Sequence, residues 1–180
     1  MADHGLTGVL LVGGASARFG SPKALARFDG QTLASRAWRL LGEACDERIA
    51  VGKAADGLVL PFSLLDDGTE VRAPLAGLVA GLRAASHDVA VAVPVDLPLL
   101  TVAALHELAA ACRDAAVPPS GPLPGAFRTT ALPMLQRALA AGRLALREAI
   151  AGLDVAVVDI AEALLVNVNE PADLERLAGP

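Results

Sequence analysis

Short apolar runs alternate along this chain with longer segments in which apolar residues recur at helical spacing. The pattern of a strand buried on both faces occurs at Thr7–Val12, Glu47–Val51, Phe62–Leu65, Val89–Val95 and Val155–Ile160. Helical spacing predicts helices at about 32–45, 74–86, 101–115 and 131–151, and a last helix from Pro171. Strands that alternate with helices imply right-handed crossovers and a sheet covered on both faces. We therefore expect an α/β fold of the Rossmann-like, three-layer α/β/α type with a mostly parallel central sheet.

Composition narrows the class of protein further. With 180 residues, 54% of them hydrophobic, and no internal repeat, the chain is expected to form one domain over 1–180. A net charge of −5 without long runs of like charge argues against nucleic acid or a membrane surface as partner. Cys45 and Cys112 fit no metal spacing and are expected to be buried, reduced thiols. The first apolar stretch ends at Gly13, too short for a signal core or a membrane span, so we expect a cytoplasmic protein.

The segment that follows the first predicted strand, VLLVGGASARFGSPKAL (9–25), has the composition of a phosphate loop. It is not a Walker A loop, because Ser21-Pro22 separates Gly20 from Lys23, and the adjacent glycines do not fit G-x-G-x-x-G. Glycines nevertheless let backbone N–H groups approach an anion, and Arg18 and Lys23 can neutralise a triphosphate. A strand-end turn with solvated Arg and Lys side chains explains the composition equally well.

A single carboxylate, Asp96, follows the apolar strand in VAVPVDLPLL (91–100). An unpaired charge at the end of a buried strand is costly, so Asp96 needs a cation. We favour Mg²⁺ bridging phosphate oxygens; a nearby Arg or Lys is the other candidate. Capping of the next helix is less suitable, because Asp96 precedes Thr101, the expected cap, by several residues.

Three weaker features lie after other strands. Gly77 and Gly81 share one face of a helix and suit either a close ligand or tight packing on the sheet. Asp66 could accept a hydrogen bond from a base or ribose, although many such acids only begin turns. Asn167 and Asn169 alternate with apolar residues and so point to one side; Asn169 could instead cap the helix beginning at Pro171.

Four segments in a fixed order make a resemblance more specific than any one of them. They read LVGGASARFGSPKAL, PLAGL, PVDLPLL and NVNEPADL. The chain resembles the MobA-like nucleotidyltransferases, whose pattern is L-x-G-G-x-S-x-R-M-G-x-x-K-A-L, then P-L-A-G, C-D-x-P and N-x-N-x-P-x-D/E-L. Gly13-Gly14 and Pro74–Gly77 are similar to the guanylyltransferases that build molybdenum cofactor, whereas cytidylyl relatives usually carry Ala-Ala-Gly or Ala-Gly in the loop.

This resemblance implies a Mg²⁺-dependent enzyme that joins GMP from GTP to molybdopterin in its molybdenum form and releases pyrophosphate. Arg18, Lys23 and Asp96 would be catalytic, and Asp96 would also hold the metal. The nucleotide would be bound by Leu11, Val12, Gly13, Gly14, Lys23, Asp66 and Asp96. Asn167 and Asn169 would face the pterin acceptor. The small molecules GTP and molybdopterin are thus the expected partners, with room for transient contacts to proteins that deliver the cofactor.

The chain departs from the family pattern at several positions, and the most extensive departure is on the acceptor side. Phe19 replaces the usual Met, and Gly52 stands where relatives often carry a polar side chain near the nucleotide. Val117–Arg128 is shorter than the strand pair of typical members and lacks their His-Pro. Two alternatives therefore stay open: a related transferase that uses CTP, another nucleotide or another phosphorylated acceptor, and a non-catalytic GTP-binding subunit of cofactor delivery.

Overall fold

The computed structural model describes residues 5–13 and 22–178, which form a central sheet flanked by helices. The strands are β1 (Leu6–Leu11), β2 (Arg27–Phe28), β3 (Gln31–Thr32), β4 (Glu47–Gly52), β5 (Leu64–Asp66), β6 (Val89–Pro94), β7 (Ala115–Val117), β8 (Gly125–Arg128) and β9 (Val155–Val157). The α-helices are α1 (Leu33–Ala44), α2 (Pro74–Ala84), α3 (Val102–Ala111), α4 (Leu132–Ala140), α5 (Leu146–Ala149) and α6 (Pro171–Ala178).

Seven of the described strands form one sheet in the order β5-β4-β1-β6-β8-β7-β9. Neighbours run parallel except where β8 pairs, because β8 is antiparallel to both β6 and β7. The separate pair β2-β3 is an antiparallel hairpin. The expected α/β class with a mostly parallel central sheet is confirmed.

Two apolar cores lie on opposite faces of this sheet. One is built with α1 and α3, and it includes Leu33, Leu41 and Leu105, which are at most 1% exposed. The other is built with α2, α4 and α5 around Leu75, Leu78 and Leu135. Helix, sheet and helix therefore make the three layers that the alternating pattern predicts. Within the described ranges, none of the helices has the length and apolar character needed to cross a membrane.

Local sequence signals set the beginnings of the helices. The hydroxyl oxygen of Thr32 accepts from the backbone N–H of Ser35 at 3.1 Å, which caps α1. Thr101 caps α3 in the same way, accepting from Ala104 at 3.3 Å, as expected. Pro74 occupies the first turn of α2, where a missing N–H costs nothing.

Several predicted boundaries are wrong. The helix expected over 101–115 ends at Ala111, and Ala115–Val117 forms β7, because those three residues are buried between β8 and β9. The strand expected at Phe62–Leu65 is Leu64–Asp66, since only those residues pair with β4. The pattern over 131–151 divides into α4 and α5 at a turn through Gly142, whose φ is +70°. The Pro- and Gly-rich loop that begins at Pro118 leads directly into β8.

The chain order places three strand ends beside one another. From β1 the chain crosses to β4 and β5 on one side, and then returns to β6 on the other side of β1. The carboxyl ends of β4, β1 and β6 are therefore adjacent at the point where the strand order reverses. Ligands of doubly wound sheets bind outside such a switch point.

Candidate active site

Lys23 and Asp96 meet beyond the carboxyl ends of β1 and β6. Lys23 begins a short turn over 23–25, and Asp96 lies two residues after the end of β6. The Lys23 Nζ atom is 3.2 Å from Asp96 Oδ2, and the two side chains are 19% and 23% exposed. Because both charges remain partly solvated, the pair is open to a ligand. Asp96 thus has one of the partners expected for it, a nearby lysine.

The segment before α6 joins this pair. The backbone N–H of Val168 donates to the carbonyl oxygen of Asp96 at 2.9 Å, and the Val168 side chain is fully buried. Asn167 and Asn169 on either side of Val168 are exposed, which fits the expected alternation. Lys23 Nζ donates to Asn169 Oδ1 at 3.5 Å. Residues from three distant parts of the chain therefore converge on one end of the sheet.

The chain just before α6 is held by Asp173, in the first turn of the helix. Asp173 Oδ2 accepts from the backbone N–H of Asn169 at 2.6 Å and from that of Glu170 at 2.9 Å. These two bonds lower the pKa of the Asp173 carboxyl. Asp173 thus holds the beginning of α6, whereas the amide oxygen of Asn169, considered as a cap for this helix, faces Lys23.

The loop that carries Asp96 is anchored from beneath and from α1. Val95 and Leu97, on either side of Asp96, are 7% and 5% exposed and enter the apolar core. Arg36 Nε on α1 donates to the carbonyl oxygen of Pro98 at 2.6 Å, and its guanidinium lies 5.2 Å from the centre of the Phe28 ring. Burial on two sides of the carboxylate fixes where Asp96 points.

Beside this cluster, a cleft of about 270 Å³ opens between β1, β4 and the beginning of α2. Its apolar floor includes Leu11 and Val51, and its polar wall includes Lys53 and Asp67. Gly13 also lines the cleft, and a Cβ atom there would meet no atom of the described residues, apart from its chain neighbours, within 4 Å. The volume is near the lower end of small-molecule pockets, about 300–1,000 Å³.

Lys53 and Asp67 form a buried ion pair in the wall of the cleft. Lys53 Nζ is 2.6 Å from Asp67 Oδ1, with the side chains 10% and 6% exposed. Sequence reasoning missed both residues. The loop that contains Lys53 follows a strand of the switch point, and that position is the signal that could have singled it out.

Asp66, the aspartate predicted from sequence to bind the nucleotide, has its carboxylate engaged with backbone. Asp66 Oδ2 accepts from the N–H of Ala54 at 2.7 Å, and Oδ1 accepts from the N–H of Gly68 at 2.8 Å. These bonds lower the pKa of the exposed Asp66 carboxyl. The structure therefore gives Asp66 the turn-forming role that was its alternative, and its contact with a nucleotide stays a prediction.

The other predicted nucleotide contacts belong to the end of β1 and the segment after it. Leu11 and Gly13 line the cleft. Val12 is buried, and its backbone N–H donates to the carbonyl oxygen of Val51 at 2.8 Å. Gly14 and Arg18 lie outside the described residues.

Comparison with known proteins identifies the family of this chain. A model described as the MobA-like NTP transferase domain matches residues 8–157. The chain belongs to this family. A protein of Deinococcus radiodurans named "Probable molybdenum cofactor guanylyltransferase" is 37% identical, the alignment covering 97% of this chain and 94% of that protein. A protein of the same name from Chloroflexus aggregans is 31% identical, with 94% and 92% covered.

The fold has a counterpart among solved structures. The crystal structure of molybdopterin-guanine dinucleotide biosynthesis protein A from Archaeoglobus fulgidus superposes with a TM-score of 0.80, covering 94% of this chain and 95% of that chain at 22% identity. Membership of the MobA-like family makes the chain a nucleotidyltransferase.

The donor set beside Lys23 suits Mg²⁺ only together with a substrate. Mg²⁺ is commonly bound by one or two carboxylates plus phosphate oxygens, and Asp96 offers one accessible carboxylate. Throughout 5–13 and 22–178, no group of three or more His, Cys, Asp or Glu side chains could hold a metal ion. An ion at Asp96 would therefore depend on the oxygens of a bound nucleotide, which agrees with a transferase that acts on an NTP.

Proposed function

We propose that this MobA-like transferase moves GMP from GTP to the phosphate of molybdopterin, in its molybdenum form, and releases pyrophosphate. The observation that carries the proposal is the convergence of Lys23, Asp96 and Asn169 next to the cleft. The names of the two relatives give the substrate class. Nucleotide, acceptor and metal are all part of this proposal.

In this proposal the cleft receives the guanine base. Leu11 and Val51 supply apolar surface for a ring, and Asp67 supplies an acceptor for the N–H groups on the guanine edge. Gly13 lets the ribose and α-phosphate pass close to the backbone, since it presents no side chain there. The triphosphate then extends toward Lys23 and Asp96.

The reaction needs positioning and charge neutralisation more than a protein nucleophile. An oxygen of the acceptor phosphate forms a bond to the α-phosphorus of GTP, while the bond from that phosphorus to the β-phosphate bridging oxygen breaks. The electron pair leaves with pyrophosphate. A phosphate monoester is already ionised at neutral pH, so no general base is required to activate it.

Lys23 and Asp96 have complementary tasks at the reacting centre. Lys23 Nζ would donate to oxygens of the triphosphate and offset the charge that moves toward pyrophosphate. Asp96 would hold Mg²⁺, which when bound supplies positive charge to the α- and β-phosphate oxygens. The Asp96–Lys23 contact keeps both groups oriented before the nucleotide enters.

Asn167 and Asn169 would hold the acceptor. Each amide both donates and accepts hydrogen bonds, which suits the amide-like edge of a pterin ring. The bond from Lys23 to Asn169 supports this role, because Lys23 is the residue proposed to hold the triphosphate. The acceptor phosphate can therefore reach the α-phosphorus from the side of α6.

Nucleotide preference tests the proposal. We expect GTP with Mg²⁺ to raise the melting temperature more than ATP, CTP or UTP does, because a bound ligand stabilises the folded state. Pyrophosphate release should require GTP and the molybdenum-loaded pterin together. A clear preference for CTP would refute the guanine assignment, and GTP binding without any pyrophosphate release would favour a non-catalytic subunit.

A further inference from the structure

The buried ion pair Lys53–Asp67 in the wall of the cleft leaves one carboxylate oxygen without a protein partner among the described residues. Asp67 Oδ1 accepts from Lys53 Nζ at 2.6 Å and from the backbone N–H of Thr69 at 3.0 Å. Lys53 Nζ also donates to the carbonyl oxygen and the hydroxyl oxygen of Thr69. All three donors of the ammonium group are thus directed at the turn over 67–69, and one carboxylate oxygen carries every bond that Asp67 accepts.

The other oxygen, Asp67 Oδ2, has no hydrogen-bond partner among the described residues. The Asp67 side chain is only 6% exposed, yet in the described part of the chain every fully enclosed polar side-chain atom has a partner. Asp67 Oδ2 is therefore not enclosed by protein, and the space beside Asp67 is the cleft. A carboxylate oxygen that borders a pocket and has no protein partner can accept a hydrogen bond from an N–H group of a ligand.

The alternative cation in this wall is already engaged elsewhere. Arg72 also lines the cleft, but its guanidinium pairs with Asp56 at 2.7 Å and its side chain is 58% exposed. Lys53 is thus the cation in direct contact with Asp67, whereas Arg72 acts on that carboxylate only from a distance. Without Lys53 the carboxylate would lose its ion-pair partner, and only the backbone N–H of Thr69 would still hold Oδ1, so the group would be freer to rotate.

We propose that Lys53 is a positioning residue for nucleobase selectivity: it fixes the orientation of the Asp67 carboxylate, so that Oδ2 alone faces the base. This inference rests on the proposed function, because it takes the cleft to be the base pocket. The chemical class that Oδ2 selects is a base with two adjacent N–H donors, as on N1 and N2 of guanine; adenine instead places the acceptor N1 beside its one amino group. Lys53 follows Gly52, so the polar group missing at position 52 is supplied by the next residue along the chain.

Calorimetric titration of GTP and ATP, each with Mg²⁺, into wild type and Lys53→Met tests the inference. Loss of a well-placed charged acceptor should weaken GTP binding by roughly ten- to a hundredfold, while ATP binding changes little. Lys53→Arg, which keeps a charge on Asp67, should restore most of the preference for GTP. Arg39→Ala removes an exposed ion pair of α1, 54% and 52% exposed, and serves as the matched control with unchanged binding.

The outcomes separate this inference from the proposed function. A folded Lys53→Met protein that keeps the wild-type preference overturns the inference, and so does an equal loss of affinity for both nucleotides. If Lys53→Met does not fold, Lys53→Gln retains an amide donor to Asp67, and the same two results for that variant decide. If wild type prefers a nucleotide other than GTP, the proposed function fails, whereas loss of that other preference in Lys53→Met still supports the inference.

Discussion

Two adjacent aspartates at the end of β5 differ because neighbouring side chains leave an extended backbone on opposite sides. Asp66 is exposed and closes a turn through two backbone N–H groups. Asp67 is 8% exposed, and therefore needs Lys53 to stabilise its charge. At this scale a shift of one position separates a residue that shapes a loop from one that lines the cleft.

The pair Lys23 and Asp96 supports a prediction about turnover. Lys23→Ala and Asp96→Ala should each lower the rate of pyrophosphate release by roughly a hundredfold or more, because each removes a charge that stabilises the transition state. Both side chains are about one-fifth exposed, so neither variant leaves a fully buried charge and both should fold. Steady-state assays with circular dichroism melting curves check both statements.

Arg39→Ala is the control for that comparison, since the Arg39–Glu43 pair lies on the exposed face of α1. Its turnover should equal that of wild type. Near-normal pyrophosphate release in Lys23→Ala or Asp96→Ala would contradict the roles proposed for these residues.

At the scale of elements, α2 has the largest share of buried residues among the described α-helices. Every residue from Leu75 to Leu82 is buried, which is unusual for a helix of a small domain. Such burial requires small residues toward the strands. A Cβ atom on Gly77 would lie 2.9 Å from Leu11 Cδ2, and one on Gly81 would overlap the side chain of Val9. Tight packing on the sheet, one of the two explanations of these glycines, is thereby supported.

Gly81→Ala is predicted to destabilise the fold. The new methyl group meets Val9, which is fully buried and cannot move into solvent, and overpacking of this kind costs about 1–3 kcal/mol. The gain in helix propensity on replacing Gly is at most about 1 kcal/mol, so the net free energy of unfolding should fall. Urea titration measures the difference.

Gly42→Ala in α1 is the matched control. Its Cβ atom would meet only the guanidinium end of Arg48, a side chain at the surface. We expect this variant to be neutral, or to gain up to about 1 kcal/mol from helix propensity. Equal stability changes at the two glycines would mean that contact with β1 does not limit α2.

Elements with a strong internal pattern were predictable, and elements defined by pairing were not. The caps at Thr32 and Thr101 and the proline of α2 lie where sequence rules put helix beginnings. By contrast, Ala115–Val117 has no alternation of its own, and its strand exists because β8 and β9 lie on either side. The hairpin of β2 and β3 turns through Asp29-Gly30, both with positive φ, a turn signal that the helix pattern beside it obscured.

In the candidate site, too, one contact was predictable from the sequence and another was not. A cation beside Asp96 could be predicted, because a strand-end carboxylate needs a counter-charge, and Lys23 meets that need. The pair Lys53–Asp67 could not be predicted, since it depends on how the turn over 67–69 folds back toward the loop after β4.

At the scale of the molecule, titrating carboxyl groups limit stability at acid pH, and titrating thiols limit it at alkaline pH. The pKa values of Asp56, Asp66 and Asp173 are lowered by hydrogen bonds, from Arg72 to Asp56 and from backbone N–H groups to the other two. Burial raises the pKa of Cys45 to about 12 and that of Cys112 to about 11, with the charge of Asp46 adding to the shift of Cys45. Both thiols are therefore protonated at neutral pH in the folded protein.

The free energy of unfolding should be nearly constant between about pH 6 and 8 and fall outside that range. The carboxyl groups stabilise the fold above their unfolded pKa, near 4, and this stability is lost as the pH falls through their lower folded values. The thiols have raised folded pKa values, so their contribution is complete below about pH 8.5 and is lost as the pH rises toward 11. Urea titrations from pH 3 to pH 11 measure both arms.

The double variant Cys45→Ala, Cys112→Ala isolates the alkaline arm, which is not complicated by tyrosine because the chain contains none. Its stability should decline less steeply than that of wild type above about pH 8.5. Cys112 is buried as expected, whereas Cys45 is only half-buried. Wild-type stability that remains constant to pH 10.5 would contradict the raised pKa values of the two thiols.

The hydrogen bond from Lys23 to Asn169 joins residues that are 146 positions apart. During synthesis at about 5–20 residues per second, the lysine therefore leaves the ribosome many seconds before its partner. A nascent chain that has completed β1, β4 and β6 already possesses the cleft, but it lacks the segment that meets Asp96 and Lys23. The residues that line the cleft are thus synthesised well before the residues proposed to bind the acceptor, and a chain that stalls between the two would lack the proposed acceptor side.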